Sequence, residues 1–181
     1  MLYASKGRVK TISAVFNWNQ TIGAPAGTTQ DLGSSGNLID FKNVDTIGTS
    51  DYSNYPVSAG QNSFEVWLRG HFSGTYNFIY DFRFWMSADF SPNTGLTVNC
   101  NSQQQVYGQP TNASSSIATS TIGTSDPGAA NVSYGGSLTS SIQSSVGSQY
   151  TDFLVLQLQT TVSAPAGDTS PATFSLSYIE T

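Results

Sequence analysis

The sequence predicts an all-β domain, an antiparallel two-layer β-sandwich of jelly-roll or immunoglobulin-like type, and three observations carry that prediction. Residues that favour helix surfaces are nearly absent: Glu occurs twice and Lys three times in 181 residues, while Ser and Thr together make up roughly a quarter. Aromatic and β-branched residues run through the whole length between clusters of Gly, Asn, Ser and Pro, the composition of half-buried pleated strands and their turns. Several segments alternate apolar and polar residues with the period of two that a strand requires.

The first such segment is Val9 to Trp18, where Ile12, Ala14, Phe16 and Trp18 share one face and Thr11, Ser13 and Asn17 the other. Residues 20–36, rich in Gly, Thr and Pro, read as a loop; a short strand around Asn37 to Val44 and a second loop from Ile47 to Gly60 follow. The clearest alternation is Ser63 to Met86. Phe64, Val66, Leu68 and Phe72 alternate with Glu65, Trp67, Arg69 and His71; then Tyr76, Phe78, Tyr80, Phe82 and Phe84 alternate with Asn77, Ile79, Asp81, Arg83 and Trp85. Joined at Ser73-Gly74-Thr75, these two strands read as a hairpin. A three-residue loop pairs their like faces and sets Glu65 opposite Arg83, in an ion-pair ladder with Arg69 and Asp81.

Gly95 to Cys100 is a further strand, with Cys100 beside Leu96 and Val98 as a small buried apolar residue. Asn101 to Gly136 is a polar, Ser- and Gly-rich insertion punctuated by Pro110 and Pro127. Asp152 to Val162 places Leu154, Leu156 and Leu158 on one side and Phe153, Val155, Gln157 and Gln159 on the other, the pattern of a central strand. Thr173 to Glu180, with Phe174, Leu176 and Tyr178 on one face, supplies the last strand. Seven to nine strands at this spacing make one sandwich domain over residues 11–181, preceded by a basic arm at residues 1–10.

Chemistry is sparse. A nucleophile–base pair needs a histidine or an equivalent base beside it, and His71 is the one histidine, with no supporting motif. One Cys and one His cannot supply a structural zinc site. The acids do not cluster as calcium ligands in the loops Asp45 to Asp51 or Ser125 to Asn131, and no carboxylate pair signals a glycosidase. A net charge of −5 with six basic residues argues against a phosphate-backbone partner, and no run of 18 apolar residues occurs to span a membrane. No signal-peptide core precedes the first strand, so synthesis in the cytoplasm is expected. The expectation is a binding protein without cofactor, not an enzyme. Tyr52, Tyr55, Tyr107 and Tyr134, in polar loops, are candidate platforms for a carbohydrate.

The run Val66-Trp67-Leu68-Arg69-Gly70-His71-Phe72-Ser73-Gly74-Thr75-Tyr76, followed by Phe82-Arg83-Phe84-Trp85, resembles a motif in structural proteins of tailed phages and related viruses. Asp152 to Gln159, Ala164 to Thr169 and Phe174 to Tyr178 resemble the closing strand pair of the same proteins, so the resemblance covers roughly the second two-thirds of the chain. It implies a virion structural protein with a β-sandwich fold: a capsid decoration, head-fibre or tail-associated subunit. The partners it implies are a major capsid protein or neighbouring subunits, and the state it implies is a homo-oligomer, a trimer above others. On that reading Trp67, Arg69 and His71 are the interface candidates, because Trp and Arg are favoured in desolvated contact centres. Lys6, Arg8 and Lys10 would reach an acidic groove on the particle. The rival expectation is a lectin-like or receptor-binding fibre domain using the four tyrosines.

Overall fold

The computed structural model describes residues 13–33, 39–47, 53–145, 149–167 and 169–181. Its elements are β1 (Ser13–Ile22), β2 (Thr28–Gly33), β3 (Val66–Thr75), β4 (Phe78–Ala88), β5 (Leu96–Gln104), β6 (Ser120–Thr121), β7 (Ile142–Gln143), β8 (Phe153–Thr160) and β9 (Thr173–Glu180). They form two antiparallel sheets, a six-stranded one in the order β2-β1-β3-β8-β5-β6 and a three-stranded one in the order β7-β4-β9. The two pack face to face as an all-β sandwich.

The core between the layers follows from the alternation. Trp18, Val66, Leu68, Phe72, Val98, Leu154, Leu156 and Leu158 are buried on the inner face of the larger sheet, and Ile79, Phe82, Phe84, Met86 and Ile142 on that of the smaller. Phe16, Phe72 and Tyr178 meet at ring-centroid distances of 4.9–6.2 Å, and Phe84 stacks on Phe174 at 5.8 Å. Gly70 is the close approach that permits this: a Cβ there would lie 2.7 Å from the Phe16 ring.

The expected hairpin at Ser73-Gly74-Thr75 does not form. β3 pairs with β1 and β8, whereas β4 pairs with β7 and β9, so residues 76–77 carry the chain from one layer to the other. The apolar faces of the two strands meet across the core instead of lying side by side in one sheet. Alternation fixes which face is buried and is equally satisfied by either arrangement.

A second departure lies within β4. Its register against β9 shifts between Tyr80 and Arg83, where Asp81 holds a left-handed φ of 56°. This bulge changes the phase of the strand: Ile79 is fully buried and Phe78 is 40% exposed, then Phe82, Phe84 and Met86 face the core. The Arg83 guanidinium donates to the Asp81 carboxylate and, at 3.5 Å, to Asp126. The expected Glu65–Arg83 ladder is therefore absent, because Arg83 lies on β4 of the smaller sheet while Glu65 immediately precedes β3 of the larger.

The remaining boundaries also move. β1 runs on to Ile22, and β2, expected as loop, pairs with it through the turn 23–27. The strand expected around Asn37 to Val44 is irregular over its described residues, although Phe41 packs against the core. Residues 9–12 and the basic cluster Lys6, Arg8 and Lys10 lie outside the described residues. β5, β8 and β9 form as expected, and β8 lies between β3 and β5 in the interior of the larger sheet.

Candidate functional site

The expected interface residues Trp67, Arg69 and His71 do share a face, the outer face of the larger sheet, because they are alternate residues of β3. That face is not open along its length. At one end residues 106–118 of the polar insertion lie over it and close a second, smaller core of Trp67, Ala118, Phe153 and Val155, with Tyr107 and Ile117 packed against them. Trp67 is 2% exposed, with Tyr107 and Phe153 ring centroids at 5.1 and 5.5 Å. Its assignment as an interface residue is corrected accordingly: the insertion already takes the surface Trp67 would have offered.

A buried polar network pins the insertion down. Glu65 is 4% exposed, and four neutral groups donate to its carboxylate. Oε2 accepts from the Trp67 indole N–H at 3.0 Å and the Thr111 N–H at 3.3 Å, while Oε1 accepts from the Ser116 hydroxyl at 2.6 Å and the Ile117 N–H at 3.0 Å. Gln157, fully buried on β8, donates from Nε2 to the carbonyls of Ser63, Thr111 and Ala113. A loop laid over a sheet face buries backbone groups that need partners, and these two side chains supply them. Such a satisfied acid acts as a structural bracket.

Tyr107 is a plug, which corrects its reading as a glycan platform. Its hydroxyl donates to the Gly23 carbonyl at 2.6 Å, and its ring lies so close to the β1–β2 turn that a Cβ on Gly27 would approach it to 2.7 Å. Burial, with the Asp45 and Glu65 carboxylates nearby, pushes its phenol well above the usual range. Asp45 joins the same cluster by accepting the Gly23 N–H at 2.7 Å, and burial raises its pKa.

Further along the outer face the insertion ends, and Arg69 and His71 bracket Tyr150. The Arg69 guanidinium carbon lies 4.2 Å from the Tyr150 ring centroid and 4.8 Å from that of Phe153; the His71 ring stacks on Tyr150 at 4.4 Å. Both side chains are half-buried, and burial lowers the Arg69 pKa. Among the described residues, no carboxylate forms an ion pair with Arg69. Its Nε and the Oδ1 of its cross-strand neighbour Asn19 are both buried without a hydrogen-bond partner among the described residues.

A cavity of about 480 Å³ opens at the end of the sandwich, lined by Ile39, Phe41, Phe90, Leu96, Phe174 and a set of prolines. Tyr55, 40% exposed, precedes two of its lining residues, Pro56 and Val57. Tyr134 is half-buried and packed against the main core, away from Tyr55; Tyr52 lies outside the described residues. The expected sites thus separate: Arg69 and His71 come together with Tyr150, while Trp67 and Tyr107 come together as core. Tyr150 and Glu65 were missed as members of these clusters. The apolar outer residues Phe153 and Val155 of β8 were the legible sign that this face is covered.

Among the described residues, no three His, Cys, Asp or Glu side chains gather as metal ligands. Comparison with protein-family models, with curated proteins and with solved structures finds no match to this chain.

Proposed function

We propose that this chain is a non-enzymatic structural subunit of a virion, a capsid decoration or other particle-surface protein, that acts by binding neighbouring subunits as a homo-oligomer, with a trimer as the expected state. The observation that carries the reading is Arg69. A guanidinium half-withdrawn from water onto two aromatic rings, with no carboxylate partner among the described residues, gains most when a second surface covers it and supplies an acceptor. The resemblance of the β3–β4 segment to virion proteins supports the same reading, as does a surface poor in charge. The partners are then a major capsid protein or neighbouring copies, with neither nucleic acid nor membrane involved.

Light scattering over about a hundred-fold dilution tests it, since association obeys mass action. A closed oligomer that dissociates more readily in the Arg69→Ala/His71→Ala double variant is the expected result. A chain that is monomeric throughout overturns the homo-oligomer.

A second reading, a carbohydrate-binding or receptor-binding fibre domain, draws on Tyr55 beside the end cavity. It requires that Tyr55→Ala abolish binding on a glycan array and leave the oligomer intact.

A further inference from the structure

We propose that the open edge of β9 is a docking surface for residues 1–12 of a second copy of this chain, which add to the smaller sheet as a fourth strand. This deepens the homo-oligomer reading above and rests on it.

Among the described residues, β9 is the terminal strand of its sheet. Which of its backbone groups face outwards follows from its partner. On β4, the Phe84 N–H and C=O both bond to the Asn131 side chain, and the Met86 N–H bonds to the Gly123 carbonyl, all on the side away from β9. Phe84 pairs with Leu176 and Met86 with Phe174. In an antiparallel ladder directly opposed residues both turn their backbone groups towards each other or both turn them away. Phe174 and Leu176 therefore present N–H and C=O to the open edge, and no described residue bonds to them there.

The side chains agree. Phe72 and Leu68 of β3 are fully buried beneath the smaller sheet, which among the described residues ends at β9 and has no strand opposite β1. Leu176 and Tyr178 of β9, and Ala14 and Phe16 of β1, are half-buried, and Tyr178 meets Phe16 across the gap at 6.2 Å. An edge strand with free backbone groups and a partly covered apolar flank is a template for strand addition.

The occupant is indicated by charge and by direction. Residues 1–12 hold three of the six Lys and Arg and none of the eleven Asp and Glu, which leaves residues 13–181 with three cations against eleven acids. Lys6, Arg8 and Lys10 alternate with Gly7, Val9 and Thr11, so a strand here has one basic face and one small or β-branched face, the latter fit to cover an apolar flank. The segment joins β1 beside the end of β9, where Glu180 Oε1 accepts the Ala14 N–H at 2.9 Å. To fold back onto its own β9 it would have to run parallel to that strand, whereas every pair in both sheets is antiparallel. A second copy is free to supply it in the antiparallel sense.

The test compares the wild type with the full-length variant Lys6→Glu/Arg8→Glu/Lys10→Glu, by light scattering and by amide hydrogen exchange at Phe174 and Leu176. The wild-type oligomer should protect both amides. The variant should dissociate at concentrations about tenfold higher or more, since like charges now face the acidic body, and its two amides should exchange fast. A synthetic peptide of residues 1–12 should compete with wild-type association and restore protection to the dissociated variant, which keeps the test valid if the substitutions disturb β1. Fast exchange at both amides in the wild-type oligomer, or an oligomer indifferent to the variant and the peptide, overturns the proposal and leaves the homo-oligomer standing. A wild-type chain monomeric at every dilution overturns both, and protected edge amides in that monomer assign the strand to the same chain.

Discussion

The Trp67 indole N–H donates to the Glu65 carboxylate at 3.0 Å, and the two side chains reach each other because they are alternate residues on one face of one extended segment. Around this pair the outer face of the larger sheet becomes an interior, with the insertion as its cover. Glu65→Ala removes the acceptor of four donors and leaves them buried, so it should destabilise the fold by about 2–4 kcal/mol. Urea unfolding followed by tryptophan fluorescence measures this, and an unchanged midpoint would mean that the network holds nothing in place.

Trp67 and Tyr55 make a contrasting pair. Trp67→Ala empties the second core and should cost about 3–5 kcal/mol, whereas Tyr55→Ala at an exposed loop should stay within about 0.5 kcal/mol. Thermal unfolding of the two variants separates a core tryptophan from a contact tryptophan: a Trp67→Ala protein as stable as the wild type is incompatible with the packing described.

Asp45 gives a pH dependence of defined sign. Burial raises its pKa in the folded chain above the ordinary 3.8, so between 3.8 and the raised value the folded state binds more protons than the unfolded one. Stability from this group is then greatest below 3.8 and is lost as pH rises through the folded pKa. Asp45→Asn, which still accepts from Gly23 through Oδ1, should remove that decline. Unfolding free energies of the two proteins measured across mildly acid pH should converge at the acid end and diverge in favour of Asn above it.

Cys100 packs against the main core, and burial pushes its thiol up from the ordinary 9.0. The thiolate is the reactive form, so a thiol reagent at pH 8 should modify the native protein slowly and the urea-unfolded protein at once. Equal rates in the two states would place this thiol in open solvent.

Period-two alternation revealed strands and their buried faces, and Leu154, Leu156 and Leu158 or Phe174, Leu176 and Tyr178 lie where that alternation puts them. It did not reveal partners. Nothing in Ser73-Gly74-Thr75 distinguishes a hairpin from a crossing between layers, since both bury the same residues. β2 escaped because its six residues contain one large apolar side chain, Leu32, and the bulge at Asp81 escaped because a single left-handed residue leaves no periodic trace. At the site, residues of one strand were legible as a group, Trp67 with Arg69 and His71. Tyr150 and Tyr107 arrive from distant loops, whose placement depends on long-range packing that alternation does not encode.

The position of β8 governs how this chain must be made. Val66 waits for Leu156, and Val98 for Leu158, before either neighbour has a completed ladder. Both apolar interiors also lack a wall until Phe153 to Leu158 arrive. During synthesis, then, β1 to β7 leave the ribosome as strands with exposed apolar faces and no means of closing, a state open to association with other nascent chains. Truncation before Phe153 should therefore yield aggregated chain and not a smaller domain, which size-exclusion chromatography of the truncated protein checks.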